Sequence, residues 1–436
     1  MDANRGAVIA MMSSACISSV LLSLSACDSS AAPQHSSGAT TPITSMLTLT
    51  PTSASSPSTS VPPSTSVPPS TAPDSSPPLA SRPAPASGSS ASACAAPTPA
   101  GGWTVELNAT QFVSPTKGWV VGTDGILATT DGAHWSLQYR ASAPGFDGVD
   151  FVDSQHGWAV GPNALVRTTD GGVHWLQLPE PCPQLTSVHF VSATTGFGVA
   201  DSTLLGTNGE LLRTSDAGVT WQRLPSPFGV QDVCIDSSGH GWLGANGDIY
   251  GTTDNGAHWT RSFDQPTDGN GTDPYLVEVQ CAGHGAAWAE MLGGGAMSKQ
   301  AHLGLHTGGG EWSAIFAQQF FPHPGVDVDV DAPSSYFGAF SAVSPTSAVF
   351  VDNCVACGYG QPWMETTTDG GAHLNKRAVV ADLTDATGAT FVTINDGWVI
   401  GNDQLPDQGN NAGPTFLRIE HTTDRGRTWS TQYSTQ

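Results

Sequence analysis

One eight-residue pattern, Ser/Thr-x-Asp-x-Gly-x-x-Trp, constrains this chain more than any other feature. Four segments match it in full: Thr168 to Trp175, Thr214 to Trp221, Thr252 to Trp259 and Thr422 to Trp429. Thr129 to Trp135 is one residue short, and Thr367 to Leu374 has lost the Trp. A seventh unit, His306 to Trp312, keeps the glycines and the Trp but not the Asp. Successive units stand 38 to 60 residues apart, the length of one four-stranded blade. A second motif precedes each box: Phe-Val, a few polar residues, then Gly-Trp and a short apolar strand. It is clear at Phe112 with Gly118-Trp119, at Phe151 with Gly157-Trp158 and at Phe391 with Gly397-Trp398. Phe190 with Gly196-Phe197 and Ile235 with Gly241-Trp242 follow it closely, and Ala287-Trp288 and Val349-Phe350 hold the place in the two weakest units. Seven alternations predict an all-β fold, a seven-bladed β-propeller of four-stranded antiparallel blades over residues 101–436.

The residue types suit hairpin turns. A box carboxylate accepts bonds from the N–H groups of its own turn, Gly supplies a positive φ, and Trp packs between blades. The box acids Asp131, Asp170, Asp216, Asp254, Asp369 and Asp424 are therefore assigned structural roles. The same holds for His134, His174, His258 and His373, which share one repeat position and are not assigned as metal ligands. Eleven of the thirteen Trp fall at repeat positions, leaving Trp103 and Trp363 outside them.

The first hundred residues have another character. Val8 to Leu24 is mostly apolar and small, and Leu24-Ser25-Ala26-Cys27 is similar to a bacterial lipobox, in which the Cys is acylated and becomes the mature N-terminus. Residues 1–26 are read as the signal peptide, Cys27 as the lipid attachment point and 27–100 as a stalk. An ordinary signal peptide or a short membrane helix is the alternative. Acyl chains would hold the protein on the outer face of the cytoplasmic membrane, in the cell-wall space. The stalk is Ser, Thr, Pro and Ala, including a tandem Ser-Val-Pro-Pro-Ser-Thr, and cannot bury a core, so it is expected to be disordered. In polyproline II geometry it would reach roughly 200 Å.

Net charge is −23, and residues beyond 100 hold 34 acids against 12 bases. Such a surface disfavours nucleic acid, because phosphate contact needs a basic face. Export places the cysteines in an oxidising compartment. With Cys16 and Cys27 set aside, six remain. Cys354 and Cys357 are close enough to staple a small loop, and a redox role there would need a βα context that is missing. Cys234 and Cys281 lie near equivalent positions on innermost strands of neighbouring blades and form a candidate pair. Cys94 with Cys182 is what remains.

Blade topology narrows the search for a site. The a–b and c–d turns lie on one face, and the boxes are c–d turns. The b–c connections are short in the first blades, Gly122 to Gly125 and Gly161 to Ala164. They lengthen in blades five to seven, at Gly293 to His302, Asp352 to Pro362 and Asn402 to Pro414. The d–a connections Asp264 to Pro274 and Gln318 to Ser335 are long too. Long loops on a rigid scaffold carry binding, so the face opposite the boxes is the candidate. Its candidate residues are Trp363, Tyr359, Phe321 and His323 with Asp327, Asp329 and Asp331, whose alternation puts three carboxylates on one side of an extended segment. Asp268, Asn270 and Asp273 have a spacing that calcium could use, though solvated acids are the plainer reading. No catalytic residue, metal or cofactor is assigned. The partner expected there is protein or carbohydrate, and the chain is expected to be a monomer.

Phe151-Val152-Asp153, Gly157-Trp158-Ala159-Val160-Gly161 and Thr168-Thr169-Asp170-Gly171-Gly172 resemble the photosystem II stability/assembly factor family. More distantly the repeats resemble sialidase, xyloglucanase and sortilin propellers. The first resemblance implies a non-catalytic scaffold that grips a partner chain. The others imply a glycoside hydrolase as the alternative. Against sialidase chemistry, the Arg-Ile-Pro motif of that family is missing, and Arg418-Ile419-Glu420 does not replace it. A hydrolase that uses two carboxylates is not excluded, since acids are abundant.

Overall fold

The computed structural model describes residues 106–141, 145–162, 164–181, 184–200, 209–264, 276–293, 301–317, 336–353, 361–378, 383–404 and 415–435. Among them are seven four-stranded antiparallel sheets, each built from four consecutive strands. The blades span residues 107–140, 148–177, 185–223, 230–263, 276–317, 336–378 and 385–434. The first strands of neighbouring blades pack against one another all round, which puts them innermost, and the first and seventh blades close the ring without exchanging a strand.

The Gly-Trp motif has a packing explanation. In blades one to three and seven the Phe of the innermost strand lies flat over the Gly of the second strand. A Cβ on Gly118 would meet the Phe112 ring at 2.4 Å, and one on Gly157 would meet Phe151 at 2.3 Å. In blades one to three the other face of that Phe meets the motif Trp of the preceding blade. Trp398 stacks on Phe112 at 3.5 Å, Trp119 on Phe151 at 3.4 Å and Trp158 on Phe190 at 3.4 Å, all within 9° of parallel. The box Trp then closes on the Phe edge: Trp135 on Phe112, Trp175 on Phe151 and Trp221 on Phe190, at 5.7 to 6.1 Å. Each aromatic pair contributes about 0.5–1.5 kcal/mol beyond its buried area. In blade five Cys281 stands at the Phe position. There a disulfide to Cys234, Cα to Cα 5.5 Å, replaces the stack, and the expected Cys234–Cys281 pair is present.

Innermost strands are edge strands, whose unpaired N–H and C=O groups need partners. Side chains of the neighbouring blade supply them at every seam. Phe151 N–H donates to Gln111, and Phe190 N–H to Asp150. His189 Nε2 lies 2.8 Å from Ile235 O, and Val279 N–H donates to Asp232 at 3.0 Å. Gln280 bonds Phe340 O and Ala342 N at 3.0 and 2.9 Å, and Phe391 N–H donates to Ser341 at 3.0 Å. Thr387 and Thr390 close the circle on Leu107 O and Thr110 O, each at 2.6 Å.

The loop lengths differ from expectation at one place. In the third blade the second strand ends at Ala200 and the third begins at Glu210, so this early blade also has a long b–c connection.

Candidate binding face

The box turns consume their own chemistry. In the eight-residue boxes, with or without the Trp, the Thr hydroxyl accepts the Gly N–H, at 2.8 Å for Gly172 and 2.9 Å for Gly218, and donates to the carboxylate. That carboxylate accepts the N–H of the fourth residue on, at 2.9 Å for His174 and His258 and 2.8 Å for Thr220. Its second oxygen takes the side chain of the same residue: His174 and His373 at 2.7 Å, His258 at 2.6 Å, Thr428 at 2.8 Å. Donors converging on a charged oxygen favour its charged form. Asp170, Asp254 and Asp369 are held down at about 2, with bonds from His174, His258 and His373 the leading cause. Asp131, Asp216 and Asp424 are lowered in the same way. In every such box but the first, the residue after the Asp turns its N–H to the neighbouring a–b turn, as Gly171 does to Gln155 O at 2.9 Å and Ala217 to Thr194 O at 2.8 Å. Doing so requires a positive φ even for Ala217 and Arg425, both at 63°.

On the opposite face the carboxyls behave in reverse. Glu106 and Asp147, at the entries of the first two innermost strands, and Asp385, which opens that of blade seven, crowd the start of the ring. Burial first, and then the charge of Glu106, raise both Asp147 and Asp385 to about 6. Asn108 joins the group through Asp147 at 3.4 Å. Farther round, Asp232 and Glu278 share one repeat position on the innermost strands of blades four and five, and Glu278 sits directly opposite Glu290 in the sheet. Burial lifts Asp232 to about 6. Burial, then the charges of Asp232 and Glu290, lift Glu278 to about 8. Glu290, fully buried, is raised further by burial and by Glu365 of blade six. No cluster of three or more His, Cys, Asp or Glu arranged to hold a metal occurs among the described residues.

A groove of about 330 Å³ runs along the seam between blades seven and one. Its walls are apolar, with Trp135, Leu137, Leu417 and Tyr433, and its end on this face carries Glu106, Asp124 and Arg140.

Of the residues expected here, Trp363 begins the third strand of blade six opposite Asp352 and is 42% exposed. Tyr359, Phe321, His323, Asp327, Asp329 and Asp331 lie outside the described residues, as do Asp268, Asn270, Asp273, Cys27, Cys354, Cys357, Cys94 and Cys182. The innermost-strand acids were not singled out from sequence. Their signal was present: Asp232 in Val-Gln-Asp-Val-Cys-Ile and Glu278 in Leu-Val-Glu-Val-Gln-Cys are charges set inside strands that otherwise read as core. Phe228 was missed as well. It is 73% exposed, on the connection between blades three and four.

Residues 143–266 match the family described as Photosynthesis system II assembly factor YCF48. Three of the seven blades carry that resemblance. The matched stretch covers blades two to four, where the boxes are complete. A solved structure of YCF48 bound to D1 peptide is similar at 16% identity, over 68% of this chain and 88% of that chain, with a TM-score of 0.47. The GH74 xyloglucanase from Xanthomonas campestris is 12% identical over 75% of this chain and 67% of its own, with a TM-score of 0.48. An ancestral GH74 enzyme is 12% identical over 74% of this chain, which spans 54% of that enzyme, with a TM-score of 0.50. At these identities the likeness is one of propeller fold. No curated protein matches the sequence.

Proposed function

We propose that this protein is a non-catalytic scaffold: a propeller tethered by a lipid on Cys27 at the outer face of the cytoplasmic membrane, holding a protein partner on the face opposite the box turns. The observation that carries the reading is the match of residues 143–266 to the YCF48 assembly factors, non-catalytic relatives by the resemblance drawn from sequence. Two features support it. The side chains that would suggest catalysis on the box face, six Asp and four His, are engaged in their own turns. The acids with raised pKa values among the described residues of the other face, Asp147, Asp385, Asp232, Glu278 and Glu290, sit at strand entries and between blades, whereas a glycosidase needs a carboxylate pair flanking an open cleft. A propeller carrying 34 acids and 12 bases beyond residue 100 suits a partner with basic surface.

Cross-linking in intact cells, followed by identification of the attached chains, tests the scaffold. A dominant protein adduct is expected. A chain that stays single under every cross-linking condition, or a purified protein that hydrolyses wall or plant glycans, would overturn it. The anchor has its own test. Cys27→Ser is expected to move the protein from the membrane to the soluble fraction, and retention on the membrane would count against acylation.

A further inference from the structure

We propose that the seam between blades seven and one is a docking groove for a segment of the partner protein that presents a large apolar side chain beside a basic one. The inference rests on the scaffold reading above and names the chemistry of what is held.

The argument starts from ring closure. At six seams the chain itself crosses from one blade to the next, and at three of them a described residue of the crossing segment enters the gap. Phe146 enters the core between blades one and two, Leu178 that between two and three, and Leu383 that between six and seven; all three are buried. The two ends of the ring meet at the remaining seam, so no connection crosses it. There, among the described residues, no such crossing residue lies above the core of Leu107, Phe112, Val120, Trp398, Ile400 and Leu417. The groove of about 330 Å³ lies along this seam, with Leu137 41% exposed on its wall. Its volume falls at the lower end of the range for binding pockets, large enough to seat an anchoring side chain.

Charge complementarity selects the neighbour of that anchor. Glu106 and Asp124 outnumber Arg140 at the open end, and the field of Glu106 extends to Asp147 and Asp385. A lysine or arginine next to the apolar anchor would lie against this rim, which also predicts salt-sensitive association.

The test uses the purified full chain and two synthetic peptides in fluorescence anisotropy: one a leucine flanked by lysines, the other with glutamates in place of the lysines. The lysine peptide is expected to bind and the glutamate peptide not to. Binding should weaken with added salt. Leu137→Glu is expected to weaken binding roughly tenfold or more, as loss of an interface anchor does, and Asp124→Lys less. Each variant should first be shown to melt as the parent does. Equal binding of both peptides, or affinity unchanged by Leu137→Glu, would overturn the inference. So would binding that appears only in Trp103→Ala, because the groove would then be filled by the chain's own residues before Glu106. If cross-linking still yields a partner while the lysine peptide fails to bind, the scaffold reading stands and this groove falls.

Discussion

The two faces of the propeller use the same residue type in opposite ways. On the box face, aspartates stand in the open, yet each is met by N–H groups that its own turn aims at it, so it stays charged far into acid. On the opposite face, Asp147, Asp385, Asp232 and Glu278 stand at or near the entries of innermost strands, where burial, joined by acidic neighbours at Asp147, Asp385 and Glu278, outweighs the donors and raises them above the usual carboxylate range. Local turn geometry decides the first case and ring assembly the second. A repeat therefore fixes the carboxylates of one face six times over and leaves those of the other to be set by what closure brings together.

The strongest way to break that contrast is to loosen the seam that holds Asp232 beside Glu278. The Cys234–Cys281 bond closes a separation of 47 residues, so a paired Cys234→Ala/Cys281→Ala variant is expected to lose about 4 kcal/mol in denaturant unfolding. Next comes the charge itself. Glu278 stands at about 8 against an ordinary 4.5, so the folded protein holds more protons across that range and its stability falls as pH rises through it. Glu278→Gln is expected to gain several kcal/mol, at most about 5, at pH 9 and less than about 1 kcal/mol at pH 5. The box face has the opposite sign. Asp170, lowered from 3.8 to about 2, contributes stability that is present above 3.8 and lost as pH falls through 2. Asp170→Asn should thus melt earlier than the parent at pH 6, with the gap closing near pH 2. The two windows together place the parent's greatest thermal stability at about pH 4–5. Smallest is Ala217→Gly, which relieves a positive φ of 63° and is expected to stabilise by about 0.5–1 kcal/mol.

Blade architecture was legible because each box carries its turn chemistry locally: Thr168, Asp170, Gly172 and His174 bond one another within seven residues. The Cys234–Cys281 pair was legible for a related reason, since repeat register puts both on innermost strands. The acidic entries were harder to see, because Glu106 and Asp385 become neighbours only when the ring closes. The seam groove joins Leu137 to Tyr433 across the same closure.

One experiment addresses the division of labour between the faces directly. A photo-activated cross-linker can be placed in cells at Trp363 or Asp124 on the candidate face, and at Val173, a box-turn residue that is 70% exposed. The account predicts a partner adduct from Trp363 or Asp124 and none from Val173. An adduct from Val173, with none from the other two positions, would contradict it.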